Sequence, residues 1–176
     1  MKRKERYKRK LALFLVNTIF KGCRPAFFPI KRSLLNWGGF SVGDRTKIVG
    51  PLFCTGDFSI GRDSWVGRNC SIDGNGKVRI GDKCDIGPNV QFYTGTHMIG
   101  TEERRAGKGY NGEIVIGDGC WLCATSKFLA NTFIGKANVV AAGAVICSSF
   151  DDNNLIGGIP GKRIKKYEDD ELKCNI

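Results

Sequence analysis

The chain carries a single histidine, His97, in the run Tyr93-Thr94-Gly95-Thr96-His97. Imidazole titrates nearer neutral pH than any other unperturbed side chain, so it is the first candidate for a general base. One histidine also excludes some chemistry. A solenoid zinc enzyme with three histidine ligands cannot be assembled from it. Cys120-Trp121-Leu122-Cys123 has the spacing of half a zinc site, but no second such pair follows, so no metal is expected. The remaining cysteines, Cys23, Cys54, Cys70, Cys84, Cys147 and Cys174, are scattered. They fit a reducing compartment in which cysteine acts as a small hydrophobe, hence a cytoplasmic location.

The elements that must position His97 repeat every six residues. An apolar series runs Val42, Ile48, Cys54, Ile60, Val66, Ile72, slips by two, and resumes as Ile80, Ile86, Phe92. It returns as Ile116, Leu122, Phe128, Ile134, Val140, Ile146. With 41% hydrophobic residues, the two six-membered series would both be apolar by chance about twice in a hundred thousand. A helix repeats near 3.6 residues and a half-buried strand at 2, so six fits neither as one continuous element. Six fits short strands broken by tight turns, each burying one side chain, with three strands per turn of a triangular prism. Glycine follows the apolar residue at Gly43, Gly61, Gly67, Gly81, Gly87, Gly117 and Gly135, where backbone must turn or pack closely. The expected fold is an all-β solenoid, a parallel β-helix of about five coils.

Residues 41–160 form this domain. Asp73-Gly74-Asn75-Gly76 marks the slip, and residues 95–113 interrupt the series and must leave the prism as a protruding loop. Residues 161–176 are expected to form a tail with a short helix. Residues 1–40 form a basic N-terminal helical segment. The first ten residues hold seven Lys or Arg against Glu5, within a chain of net charge +11. That balance suits an anionic partner such as a phosphate-bearing cofactor, an acidic glycolipid or a membrane surface. No nucleic-acid-binding module is recognisable, so nucleic acid is not expected. Residues 11–20, LALFLVNTIF, are too short to span a bilayer. Lys21-Gly22-Cys23 offers no signal-peptide cleavage site. Two readings of residues 1–21 stay open: a helix packed on the solenoid end, or one that also touches the inner face of a membrane through its basic cluster.

Hexapeptide coils, then Thr94-Gly95-Thr96-His97, then a loop, then Ile116-Gly117-Asp118-Gly119-Cys120-Trp121, more coils, and Gly157-Gly158-Ile159-Pro160-Gly161-Lys162 follow one another in a specific order. Over about residues 40–166 the chain resembles the hexapeptide-repeat O-acetyltransferases, which include maltose, galactoside, serine, xenobiotic and capsular-polysaccharide enzymes. The resemblance implies a left-handed β-helix and a homotrimer with active sites at subunit interfaces. It also implies direct transfer from acetyl-CoA, as co-substrate, to a hydroxyl. On this resemblance His97 is the general base, a backbone N–H near Ala124 holds the oxyanion, and Trp121 walls the site. Ala124, Ala142, Cys147, Ser148, Lys162 and Lys165 match cofactor-binding positions. Asn69 and Asp73 match the acceptor pocket.

The sequence departs from the family at several points, among them a loop at 103–112, ERRAGKGYNG, whose Arg and Lys residues either meet an anionic acceptor or are simply solvated. Cys147-Ser148 replaces a frequent Thr-Lys pair. Met98 follows His97, so the imidazole must be oriented by a backbone carbonyl, Glu102 or Glu103. The basic N-terminal helix looks more like that of polysaccharide-modifying relatives than like the cap of the maltose and galactoside enzymes. A surface polysaccharide or its saccharide precursor is therefore the expected acceptor. A small-molecule acetyltransferase, for serine or a xenobiotic, and a non-catalytic scaffold are the alternatives.

Overall fold

The structure, a computed structural model, describes residues 3–168. Two helices, α1 (Arg3–Thr18) and α2 (Phe27–Trp37), precede a stack of short strands. The first coil is β1 (Ser41–Val42), β2 (Lys47–Ile48) and β3 (Leu52–Cys54). The second is β4 (Asp57–Ile60), β5 (Trp65–Val66) and β6 (Cys70–Asp73), and the third is β7 (Lys77–Ile80), β8 (Asp85–Ile86) and β9 (Gln91–Tyr93). There the chain leaves the stack as β10 (Gly95–Ile99) and β11 (Ala106–Asn111). It re-enters with β12 (Glu113–Ile116), β13 (Trp121–Leu122) and β14 (Lys127–Leu129). The fifth coil is β15 (Thr132–Ile134), β16 (Val139–Val140) and β17 (Val145–Ile146), followed by β18 (Asn154–Gly157) and β19 (Lys162–Lys166).

Strands one coil apart pair in parallel and in register, giving a prism with three faces. The six-residue series maps directly onto them. Val42, Ile60, Ile80, Ile116 and Ile134 form the column inside the first face. Ile48, Val66, Ile86, Leu122 and Val140 line the second, and Cys54, Ile72, Phe92, Phe128 and Ile146 the third. All but Cys54 are buried. Phe92 and Phe128 stack at 5.1 Å, filling the axis where the hairpin departs. The solenoid runs slightly past the five coils expected. A bridge from Ile134 to Phe150 opens a sixth, and Ile156 on β18 extends the second column.

The two demands expected of the glycines fall on different positions. The turn itself is made three residues past the inward residue, where Asp63, Asn69, Lys83, Asn89, Gly119, Thr125, Asn131, Ala137 and Gly143 all have positive φ. The glycine directly after the inward residue serves close packing. A Cβ on Gly117 would lie 2.7–2.8 Å from the backbone of Gly135 and Lys136 in the next coil.

A β-helix exposes unpaired backbone on its first coil, a hazard for any sheet edge. Here the helices close that end with one polar side chain per face. Asn36 brackets Val42 on the first face, with its amide 3.0 Å from the Val42 carbonyl and its oxygen 2.7 Å from the Val42 N–H. Lys31, fully buried, donates to the carbonyls of Ile48 and Val49 on the second face and of Gly22, at 2.7–2.8 Å. Asn17 brackets Leu52 on the third, both bonds at 2.9 Å. Ala12 and Val16 of α1 and Leu35 of α2 complete the seal.

At the other end, the segment expected as a tail with a short helix opens as a strand over residues 162–166. β19 folds back antiparallel on β18 and continues the second face, because β18 still presents an open edge after the fifth coil. Residues 169–176, with Cys174, lie outside the described residues.

Candidate active site

The segment expected to be a loop at 95–113 is an antiparallel hairpin, so His97 stands on a strand. It faces Gly109 across the pair. Gly109 leaves the imidazole room, since a Cβ there would sit 3.4 Å from His97 Cε1. The ring Nδ1 lies 2.9 Å from the carbonyl oxygen of Gly107. A carbonyl only accepts, so Nδ1 carries a proton, and the neutral imidazole then has its lone pair on Nε2. This settles the question raised by Met98: the orienting group is a backbone carbonyl, and Glu102 and Glu103 give His97 no hydrogen bond.

The hairpin is anchored where the six-residue register slips. Thr94, fully buried, donates its hydroxyl to the Asp73 carbonyl at 2.8 Å and accepts from the Gly76 N–H at 3.1 Å. Asn111 accepts from the Asn75 N–H at 2.9 Å. The two extra residues of the Asp73–Gly76 turn thus make the seat on which the His97 hairpin stands. Asp73 lies on this corner, between the third and first faces, and its carboxylate accepts from the Gly74 N–H. Cys147 and Ser148 lie exposed at the same corner of the fifth coil.

A second group lies on the corner between the second and third faces. Ala124 and Ala142 stack there on successive coils, linked by a 3.0 Å bond from Gly143 N–H to the Ala124 carbonyl. Asn69 makes the same corner two coils below Ala124, in the left-handed conformation. The neighbouring N–H groups of Cys123 and Thr125 donate to Val140 and Pro88, both at 2.9 Å. Those of Ala124 and Ala142 have no partner among the described residues. The contrast with the preceding corner is chemical. There an aspartate of the next coil accepts from the equivalent N–H, as Asp82 does from Arg62, Asp118 from Asp82, and Asp152 from Lys136. At Ala124 and Ala142 no such side chain intervenes, so two donors are left for a ligand acceptor. Trp121, half exposed, stands just before this corner on the outer second face, between Asp85 and Val139. Burial raises the titration of the adjacent Cys123 thiol, so it stays protonated and is a poor nucleophile at neutral pH.

One chain therefore does not bring all the expected residues together. His97, Asp73, Cys147 and Ser148 lie at one corner; Asn69, Ala124 and Ala142, with Trp121 beside them, lie at another. Lys162 and Lys165 project from β19 at the C-terminal end of the second face. Sequence reading missed Gly107, Gly109, Thr94 and Asn111. The first two leave a trace, because Gly107-Lys108-Gly109 alternates as one face of a strand does.

No protein-family model matches the chain. It is 31% identical over 175 residues to the Saccharomyces cerevisiae protein named "Putative acetyltransferase YJL218W", covering 98% of this chain and 87% of that one. The chain belongs to the hexapeptide-repeat acetyltransferases. Galactoside O-acetyltransferase of Escherichia coli is 26% identical over 152 residues, which is 85% of this chain and 75% of that enzyme. A galactoside acetyltransferase solved with coenzyme A superposes with TM-score 0.79 at 25% identity, over 94% of this chain and 82% of that one. Members of this family are acyltransferases, and the acyltransferase assignment extends to this chain.

Proposed function

We propose that the chain is an acetyl-CoA-dependent O-acetyltransferase acting on a saccharide hydroxyl, of a surface polysaccharide or its precursor, with His97 as general base. The observation that carries the reading is the Nδ1 contact to Gly107, which leaves the lone pair of the neutral imidazole on Nε2. A hydroxyl is a weak nucleophile at neutral pH. Nε2 takes its proton as the oxygen bonds to the thioester carbon. The developing oxyanion is held by the N–H of Ala124, as the carbon–sulfur bond breaks and the imidazolium returns the proton to the departing thiolate. Acetyl-CoA supplies the activated acyl group. Ala124 and Ala142 offer small side chains and free N–H groups to its pantetheine amides, and Lys162 and Lys165 offer charge to its phosphates. The bound coenzyme A of the galactoside acetyltransferase and the galactoside acceptors named for the relatives support this choice of substrates.

The two half-sites stand on different corners of one prism. We take the complete site to form between neighbours, His97 of one chain facing the Ala124 corner of the next. Threefold closure makes three such sites. The test is thiol release from acetyl-CoA with a panel of free sugars, nucleotide sugars and serine. Stimulation by a sugar supports the reading. Stimulation by serine alone moves the acceptor to a small molecule, and no binding of acetyl-CoA at all leaves a scaffold.

A further inference from the structure

The helical cap carries an uncovered apolar stripe in a field of positive charge. On α1, Ala12 and Val16 turn inward and are fully buried. The opposite side presents Tyr7, Leu11 and Phe14, at spacings of four and three, which are 71%, 47% and 58% exposed. On α2, Ile30 and Trp37 are likewise exposed, seven residues apart. The two helices meet beside this second patch, where Lys8 of α1 lies 5.5 Å over the Trp37 ring.

Charge identifies the occupant. Residues 1–40 hold eleven of the 28 Lys and Arg and one of the 17 acidic residues, so they carry +10 of the chain's +11. Arg3, Lys4, Arg6 and Lys10 are exposed around the stripe. Arg9 and Lys31 point inward and are used in packing. A second copy of this chain would bring the same positive field against itself, which disfavours a self-contact through this face. An anionic surface is complementary to it. No helix of the described residues is long and apolar enough to cross a membrane, which leaves binding in the plane of the surface.

We propose that the α1–α2 cap docks on an anionic lipid bilayer. Tyr7, Leu11 and Phe14 enter the headgroup boundary, and Arg3, Lys4, Arg6 and Lys10 pair with lipid phosphates. The stack then stands on the membrane by its N-terminal end, with the His97 hairpin three coils above. This inference is independent of the acceptor assigned above.

The full chain is sedimented with phosphatidylcholine vesicles, with and without phosphatidylglycerol, at low and high salt. Binding is expected with the anionic vesicles and is weakened by salt. Lys4→Ser with Lys10→Ser should weaken it about fivefold per residue removed. Leu11→Ser with Phe14→Ser should weaken it at least tenfold, with an unchanged melting curve, because both side chains are exposed. Failure to bind anionic vesicles overturns the proposal, as does binding indifferent to lipid charge and to both variants. A change in the oligomeric mass of the Leu11→Ser, Phe14→Ser variant, read by light scattering, also overturns it and makes the stripe a contact between copies.

Discussion

The Nδ1 of His97 and the carbonyl oxygen of Gly107 lie 2.9 Å apart across a two-stranded hairpin. A backbone carbonyl does here what a carboxylate does in many catalytic dyads: it fixes the tautomer and the plane of the ring. Unlike a carboxylate, it brings no negative charge and cannot be deleted by changing a side chain. The sensitive position is therefore Gly109, opposite the imidazole. Gly109→Val puts branched carbon against the ring from a starting contact of 3.4 Å. We expect kcat to fall roughly 10- to 100-fold, while circular dichroism and melting temperature stay near wild type, since valine suits a strand.

The prism makes opposite demands on two glycines two residues apart. Gly117→Ala drives a Cβ to 2.7–2.8 Å from backbone of the next coil. It should lower stability by about 1–3 kcal/mol in urea titrations. Gly119 has φ +68° and open space around its Cβ position. Asparagine already occupies the matching left-handed corner at Asn69, Asn89 and Asn131. Gly119→Asn should stay within about 0.5 kcal/mol of wild type.

Much of this fold is visible in the sequence because a large apolar residue at every sixth position leaves a register that no other element shares. The residues two places before it, such as Val78, Cys84, Ile114 and Cys120, are buried as well, so each repeat buries more than the one side chain expected. The hairpin, by contrast, has no buried face: His97, Met98 and Ile99 are all exposed. Without an apolar alternation, its strands read as a loop. The C-terminal strand was hidden for a related reason. β19 forms because β18 offers an edge, a tertiary fact, while Lys162-Arg163-Ile164-Lys165-Lys166 alone resembles a charged helix end. His97 was legible from its place after the third coil; its carbonyl partner ten residues on was not.

Lys31 replaces missing neighbours of the first coil with two donated hydrogen bonds, to Ile48 and Val49, and ties Gly22 to them with a third. Burial pulls its titration below the usual lysine range, with the nearby Cys23 opposing the shift. Lys31→Met fills the same space but leaves the Gly22 and Ile48 carbonyls without a donor, while Val49 keeps only the 3.2 Å bond from the Gly22 N–H. We expect a loss of about 3 kcal/mol or more in urea titrations. Asn17→Ala should cost less, since it removes two neutral bonds at a partly buried site.

The far end responds to acid. The Asn154 amide and the Lys166 ammonium hold the Asp151 carboxyl below its usual range, at 2.9 and 3.1 Å. A carboxyl whose folded pKa is depressed adds stability above its unfolded pKa of about 3.9 and loses it as pH falls through the folded value. Asp151→Asn should therefore have a melting temperature less sensitive to pH below about 4 than wild type. Equal slopes for the two proteins would remove Asp151 from the account.

The most direct measurement compares wild type and His97→Ala in parallel, following acetyl-CoA binding by calorimetry and acceptor-stimulated thiol release by absorbance. Binding is expected to be unchanged, because Ala124 and Ala142 lie on the other corner and Lys162 and Lys165 at the far end of the second face, and turnover is expected to fall by about 10²- to 10⁴-fold. A His97→Ala enzyme that turns over within a few-fold of wild type would contradict the assignment of His97 as the base.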